Sequence, residues 1–211
     1  MNINEAKKYI EAQARQNQVG NIPIDKLNVF FKRAQLEVVD ELREAFEATS
    51  IISDHLAPLL VSVEISGLAS GIANKPANFY SFIPPLEVDY TSGAFQTWYP
   101  ADLITHGEKG VRLNSQIDYP GETNPIAINY AGYFQIYPTT TAKVRLTYIK
   151  KPADPAWNYT IVNSSPTYNA AGSIDFELPE ATHTRICNKV LGYYGVSLRD
   201  GELLNIEKQK E

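Results

Sequence analysis

Three histidines and a single cysteine, His55, His106, His183 and Cys187, are the residues with which this chain would most directly do chemistry. His183 and Cys187 stand four apart in a segment with helical apolar spacing, so one helix face carries both. That spacing serves a base beside a thiol nucleophile, or two ligands of a metal. Spacing does not fix a third ligand or an orienting carboxylate, and Glu180 is a candidate by proximity alone. A surface histidine near a buried free thiol gives the same pattern. Asp54-His55 and His106-Gly107-Glu108 sit at loop or helix ends with no further constellation. The sequence has no nucleophile elbow, no paired-histidine zinc helix and no acidic calcium loop. Gly67-Leu68-Ala69-Ser70-Gly71 is small and flexible but lacks the lysine and the strand-to-helix setting of a phosphate loop, and reads as a hairpin tip. The carboxylates are scattered, so no pair is assigned to acid–base work. The expectation is a protein that is not an enzyme, with no catalytic residue, no cofactor and no metal.

Binding chemistry is carried by aromatic rings. Trp98, Tyr99, Tyr119, Tyr130, Tyr133, Tyr137, Trp157 and Tyr159 offer faces that stack on sugars, and equally the rings of a core and its cross-strand pairs. With 24 acidic against 19 basic residues in 211, the net charge of −5 argues against gripping a nucleic acid backbone, which takes clustered Lys and Arg. It leaves open a surface that DNA passes without being held. One cysteine rules out an internal disulfide framework and a Cys-rich zinc module. No apolar run approaches the ~20 residues that span a bilayer. Met1-Asn2-Ile3-Asn4-Glu5 opens a polar helix rather than a signal peptide. The expected place is a cytosol, or a particle assembled there.

The elements that must position these residues are most legible at Pro23–Ala48. Leu27, Phe30, Phe31, Ala34, Val38, Leu42, Ala45 and Phe46 recur at one helix face, with Lys32, Arg33, Glu37, Asp40, Glu41 and Arg43 opposite and Asp25 placed to cap. A shorter helix is expected from Asn2 to Asn17, capped by Asn2 or Asn4 and stopped at Gly20. A helical turn ending at Pro58 follows. From Leu59 to Leu178 the long period vanishes. Short runs give candidate strands at Leu59–Ser66, Phe79–Phe82, Leu86–Thr91, Ala94–Tyr99, Ile126–Asn129, Tyr133–Tyr137, Lys143–Ile149 and Trp157–Val162. Ile126 to Tyr137 reads as a hairpin, and Ala101–Lys109 as a short helix. From Pro179 the helical period returns, with Thr182, Ile186, Val190 and Leu191 on one face, Gly195 as the stop, and a last helix from Asp200 to Lys208. The fold class is α+β: N- and C-terminal helices packed together with an inserted antiparallel β-rich module. The divisions are 1–58, 59–178 and 179–211.

Several strings in this order carry a resemblance. Pro23-Ile24-Asp25-Lys26-Leu27-Asn28 leads to Ala34-Gln35-Leu36-Glu37, then Ile52-Ser53-Asp54-His55-Leu56 and Arg112-Leu113-Asn114-Ser115. Tyr133-Phe134-Gln135-Ile136-Tyr137-Pro138 precedes Val144-Arg145-Leu146-Thr147-Tyr148-Ile149-Lys150-Lys151-Pro152 and Pro155-Ala156-Trp157. Ile174-Asp175-Phe176-Glu177-Leu178-Pro179 then leads to Gly195-Val196-Ser197-Leu198-Arg199-Asp200. Over nearly the whole chain this resembles virion structural proteins of tailed phages, crAss-like and related phages of Bacteroidota in particular. Size and plan resemble the head-to-tail connector, the adaptor ring docked beneath the portal. The resemblance implies a ring of identical subunits, about twelve, contacting the portal protein and other ring or tail proteins. DNA would pass through its channel unbound during packaging and ejection. It implies no catalytic residue, no membrane and a place in the virion. The broader versions are another virion ring or tail protein, or a carbohydrate-binding β-module. Contact residues expected on this plan are Lys32, Arg33, Glu37, Asp40, Glu41 and Arg43 on the long helix. In a C-terminal docking arm at Ser197–Glu211 they are Leu198, Arg199, Leu203 and Leu204, and the alternative there is a helix packed on its own subunit.

Overall fold

The computed structural model describes residues 1–16, 23–49, 54–91, 96–140 and 142–198. In chain order its elements are α1 (Ile3–Gln16), α2 (Ile24–Thr49), β1 (Leu60–Ile65), β2 (Ile72–Asn74), β3 (Phe79–Asp89), β4 (Tyr99–Ile104), α3 (Lys109–Leu113), β5 (Ile126–Asn129), β6 (Tyr133–Tyr137), β7 (Lys143–Lys150), β8 (Tyr159–Val162), β9 (Ser165–Tyr168) and α4 (Glu180–Leu198). Helices at both ends and a mostly antiparallel sheet make the α+β class expected from the sequence. The contacts gather into two compact units, Met1–Leu59 with Pro152–Glu211, and Leu60–Lys151.

The helical unit is built on α1, α2 and α4, and α4 contacts both of the others. Asn2 and Glu5 open α1 as a reciprocal capping box. The Glu5 N–H donates to Asn2 Oδ1 at 2.9 Å, and the Asn2 N–H donates to Glu5 Oε2 at 2.9 Å. Asn4, the other candidate cap, instead accepts from Trp157 Nε1 at 3.1 Å. Of the stripe expected on α2, Leu27, Phe31, Ala34, Val38 and Leu42 are buried, Phe30 and Phe46 are half-buried and Ala45 is exposed, while Val39 and Gln35 widen the buried face. Asp25 lies inside the first turn rather than at the cap, with Leu27 N–H donating to the Pro23 carbonyl. α4 runs through Gly195, the expected stop, because a glycine in a helix costs only about 1 kcal/mol. The helix expected over Asp200–Lys208 lies outside the described residues.

The boundary of the β-rich module differs from the expected Leu178. The segment from Pro152 to Leu178 belongs with the helices, because α2 carries two amide side chains two turns apart that bond its backbone. Asn28 accepts from Trp157 N–H at 2.8 Å and donates to the Trp157 carbonyl at 3.2 Å. Gln35, 1% exposed, donates to the Ala153 carbonyl at 2.9 Å and accepts from Glu177 N–H at 3.3 Å. Ile3 N–H donates to Asp175 at 2.7 Å. Polar positions in a helix interior give no periodic signal, so this lashing is invisible to a hydrophobic pattern.

In the other unit seven strands run in the order β1-β7-β3-β4-β5-β6-β2, antiparallel except for β4 beside β5. β5 and β6 form the expected hairpin. The strands expected at Phe79–Phe82 and Leu86–Thr91 are one strand, β3, whose register against β7 shifts between Ile83 and Glu87 where Pro84 and Pro85 offer no donor. Two expectations are overturned. Of the strand predicted at Ala94–Tyr99, Ala94 and Phe95 lie outside the described residues, Gln96–Trp98 are not strand and Tyr99 begins β4; of the helix predicted at Ala101–Lys109, Ala101–Ile104 is strand β4, and a turn leads to α3 at Lys109. Pairing with β3 on one side and β5 on the other outweighs the local composition. Gly67–Gly71 is not a hairpin tip, because β1 and β2, which it joins, lie at opposite ends of the sheet.

β7 alternates as its sequence demands, with Val144, Leu146 and Tyr148 buried between half-buried neighbours. They meet Leu86, Val88, Ala127, Phe134 and Ile136 in the main core of the sheet unit. Ile126 and Ile128, of opposite parity to Ala127, join Ile104 in a smaller cluster under Leu113 of α3. Asp89 ends β3 at 1% exposure. Its Oδ1 accepts from Thr91 N–H at 2.9 Å, from the Thr91 hydroxyl, and from Thr97 N–H at 3.4 Å, while Oδ2 has no hydrogen-bond partner among the described residues. Burial pushes this carboxyl up, but the bonds from Thr91 and Thr97 outweigh it and hold the carboxyl below its ordinary value. Asp89→Ala is expected to destabilise by about 1–3 kcal/mol at neutral pH. A group depressed on folding gives stability that is present above its unfolded pKa and is lost as pH falls through the folded one. The difference between the two proteins in urea unfolding should therefore shrink below about pH 4.

Candidate interaction surface

The polar face of α2, expected to meet a neighbour, is largely tied down within the helical unit. Lys32 Nζ lies 2.6 Å from Asp154, and Arg33 Nε lies 2.9 Å from Glu37. Glu37 also accepts from the Tyr193 hydroxyl, and the Arg33 guanidinium stands 4.6 Å from the Tyr193 ring. Burial raises the Glu37 carboxyl, and the bonds from Tyr193 and Arg33 more than reverse this, so it lies below the ordinary value. Arg43 stands 3.9 Å from Asp40 and 3.8 Å from Glu47. Glu41 Oε1 pairs with Lys189 Nζ at 2.8 Å, and the Arg185 guanidinium is 2.7 Å from Oε2 without hydrogen-bond alignment. Leu198 is the last residue of α4, its side chain outside the described set, as are Arg199, Leu203 and Leu204 altogether.

His183 and Cys187 share a face of α4 as their spacing requires, and that face is buried. His183 Nδ1 is 2.7 Å from the Met1 carbonyl oxygen and Nε2 is 2.8 Å from that of Leu178, with Phe176 against the ring at 5.1 Å. Both ring nitrogens face backbone oxygens, which leaves neither for a thiol or a metal. Cys187 is 0% exposed, and burial pushes its thiol up to about 12. The nucleophile is the thiolate. Native protein is therefore expected to resist iodoacetamide at pH 8, whereas denatured protein alkylates at the rate of a free cysteine; rapid native labelling would contradict this burial. Among the described residues no three His, Cys, Asp or Glu side chains gather into a metal-binding group. His106 accepts or donates at Nδ1 with the Tyr130 hydroxyl at 2.9 Å.

The aromatic faces considered for sugar stacking are mostly taken. Trp157 is 3% exposed and stacks with Tyr159 at 5.7 Å and Tyr168 at 6.0 Å. Tyr130 stacks on Tyr133 at 4.9 Å, and the Arg145 guanidinium covers Trp98 at 4.1 Å. Tyr119 stays exposed in the sheet unit.

The strand expected at Trp157–Val162 is present as β8, but the expected elements do not include β9 or the hairpin that the two form. Every residue of β8 is exposed, as are three of four in β9, although Ile161 and Val162 are apolar. A signal was there: from Pro155 to Ile174 the chain has no charged side chain. Compared with protein-family models and with curated proteins, the chain matches none. Among the described residues no helix is long and apolar enough to cross a membrane.

Proposed function

We propose that the chain is a structural subunit of a tailed-phage virion, a head-to-tail connector ring docked beneath the portal. The observation that supports this best is the packing of α2 and α1 against α4 across an inserted sheet unit. It is the helix–β–helix plan of the connector proteins that the sequence resembles. Such a subunit works by contact rather than by chemistry. The portal sits above it, other ring or tail proteins below, and DNA runs through the channel without being bound. A net charge of −5 disfavours adhesion of a polyanion to the wall. Ion pairing within the helical unit makes the polar face of α2 a stiffener of the subunit. The C-terminal arm from Ser197 is the proposed portal contact. Co-expression with the portal protein followed by mass photometry tests the assignment. The expected product is a portal complex heavier by a ring of this chain, and its loss when Arg199–Glu211 is deleted. A chain that ignores portal at every concentration contradicts it.

A further inference from the structure

A groove at the start of α2 lies on the path that α4 follows. The two helices run antiparallel. Lys189 of α4 meets Glu41, and Tyr193, one turn on, meets Glu37, Arg33 and, ring to ring at 5.9 Å, Phe30. Lys26, Phe30, Arg33, Glu37 and Glu41 recur every three or four residues, so all five lie on the side of α2 that faces α4. From Tyr193, α4 continues to Leu198, about 7.5 Å along its axis. An equal distance along α2 from Phe30 arrives at Asp25 and Lys26. There α2 borders a groove of about 420 Å³, lined among the described residues by Asp25, Lys26, Val29 and Phe30. Val29 is 63% exposed and Phe30 is half-buried, so the apolar part of this face runs on past the helix that covers the rest.

What leaves α4 at that level is the remainder of this chain. Residues 199–211 follow, outside the described set. Their apolar side chains are Leu203, Leu204 and Ile206, gathered within one helical turn. Glu202 and Glu207 flank them, opposite in sign to Lys26, and Lys208 is opposite in sign to Asp25. The linker from Arg199 to Glu202, at ~3.3–3.6 Å per residue, is long enough to turn back on Val29, and Gly201 eases the reversal. Tethering selects the occupant. A segment on so short a linker stands at an effective concentration on the order of millimolar, which a separate molecule matches only by binding much more tightly. A second copy, also carrying −5, is at a further disadvantage. We propose that this groove is the seat of the chain's own C-terminal segment, with Leu203, Leu204 and Ile206 covering Val29 and Phe30 in the free subunit. In the connector the segment leaves this seat for the portal, and the groove thereby regulates the portal contact. That second step rests on the proposed function; the seat itself does not.

Disulfide trapping in the full chain tests both steps. Cys187 is fully buried and stays out of the reaction. Val29→Cys with Leu203→Cys is expected to form a disulfide within one chain under mild oxidation, at a rate independent of protein concentration. Glu44→Cys with Leu203→Cys, about 22 Å further along α2, is expected to close about tenfold more slowly. Val29 and Glu44 are both exposed, so the variants are expected to keep the wild-type circular dichroism spectrum. Equal rates for the two pairs, or no disulfide within the chain for the first, overturn the seat. A disulfide that forms only between chains, faster as concentration rises, overturns it too, because the groove then holds a second copy. Adding the portal protein is expected to slow trapping severalfold. Trapping that persists unchanged while the portal binds overturns the regulation and leaves the seat standing. Trapping with no binding of the portal supports the seat and counts against the connector assignment.

Discussion

Phe31→Ala is expected to destabilise the helical unit by about 3–5 kcal/mol, the range for truncating a fully buried phenylalanine. Phe31 is 0% exposed on the inner face of α2, and its ring meets Phe176 edge-on at 5.3 Å, so the substitution also leaves the Phe176 ring without that contact. Phe176 lies in the segment that α2 holds through Asn28 and Gln35, so the cavity opens beside the lashing as well as between helices. Val29, two residues away and 63% exposed, supplies the control. Val29→Ala should shift stability by no more than about 0.5 kcal/mol. Guanidinium unfolding followed by far-UV circular dichroism reads both. Equal midpoints for the two variants would mean that α2 does not anchor the core.

Glu41→Ala should cost about 2–3 kcal/mol. The Lys189 side chain is 8% exposed, and Glu41 Oε1 at 2.8 Å is the carboxylate it meets on α2. Removing one partner of a buried pair costs about 3–5 kcal/mol, and this case falls lower because the Glu41 side chain is 32% exposed. Replacing both residues together, Glu41→Leu with Lys189→Leu, should recover part of the loss, since the buried Lys189 charge is then gone and Arg185, whose side chain is 45% exposed, loses only an exposed pair. A double-mutant cycle by urea unfolding checks this, and additive costs would show that the two residues do not act as a pair. The outcome bears on function too. A Glu41 that braces α2 against α4 changes the stability of the isolated subunit, whereas one that faces a neighbour would change only assembly.

The long helix was legible because Leu27, Phe31, Ala34, Val38 and Leu42 repeat a helical period over several turns, and periodicity survives any tertiary context. The half-buried strand β7 was legible for the matching reason, a period of two. Elements whose form is decided by distant partners were not. β4 has a composition that suits a helix and becomes a strand only because β3 and β5 flank it. β9 holds Pro166 and polar residues and is a strand because it folds back on β8. The path of Pro152–Leu178 was hidden for another reason: Asn28 and Gln35 look like ordinary polar positions of an amphipathic helix until their backbone partners are known. The His183–Cys187 spacing placed both residues on one face, but spacing does not say that the face is interior. In the candidate surface the charged residues of α2 were legible from sequence, while their partners within the subunit, Asp154, Arg185, Lys189 and Tyr193, come from elsewhere in the chain and carry no signal in the helix itself.

Cryo-electron microscopy of purified, DNA-filled particles tests the central claim most directly. A closed ring of this chain is expected under the portal, with α2 and α4 repeated around a channel that encloses DNA. Particles complete with portal and tail but containing no copy of this chain would contradict it.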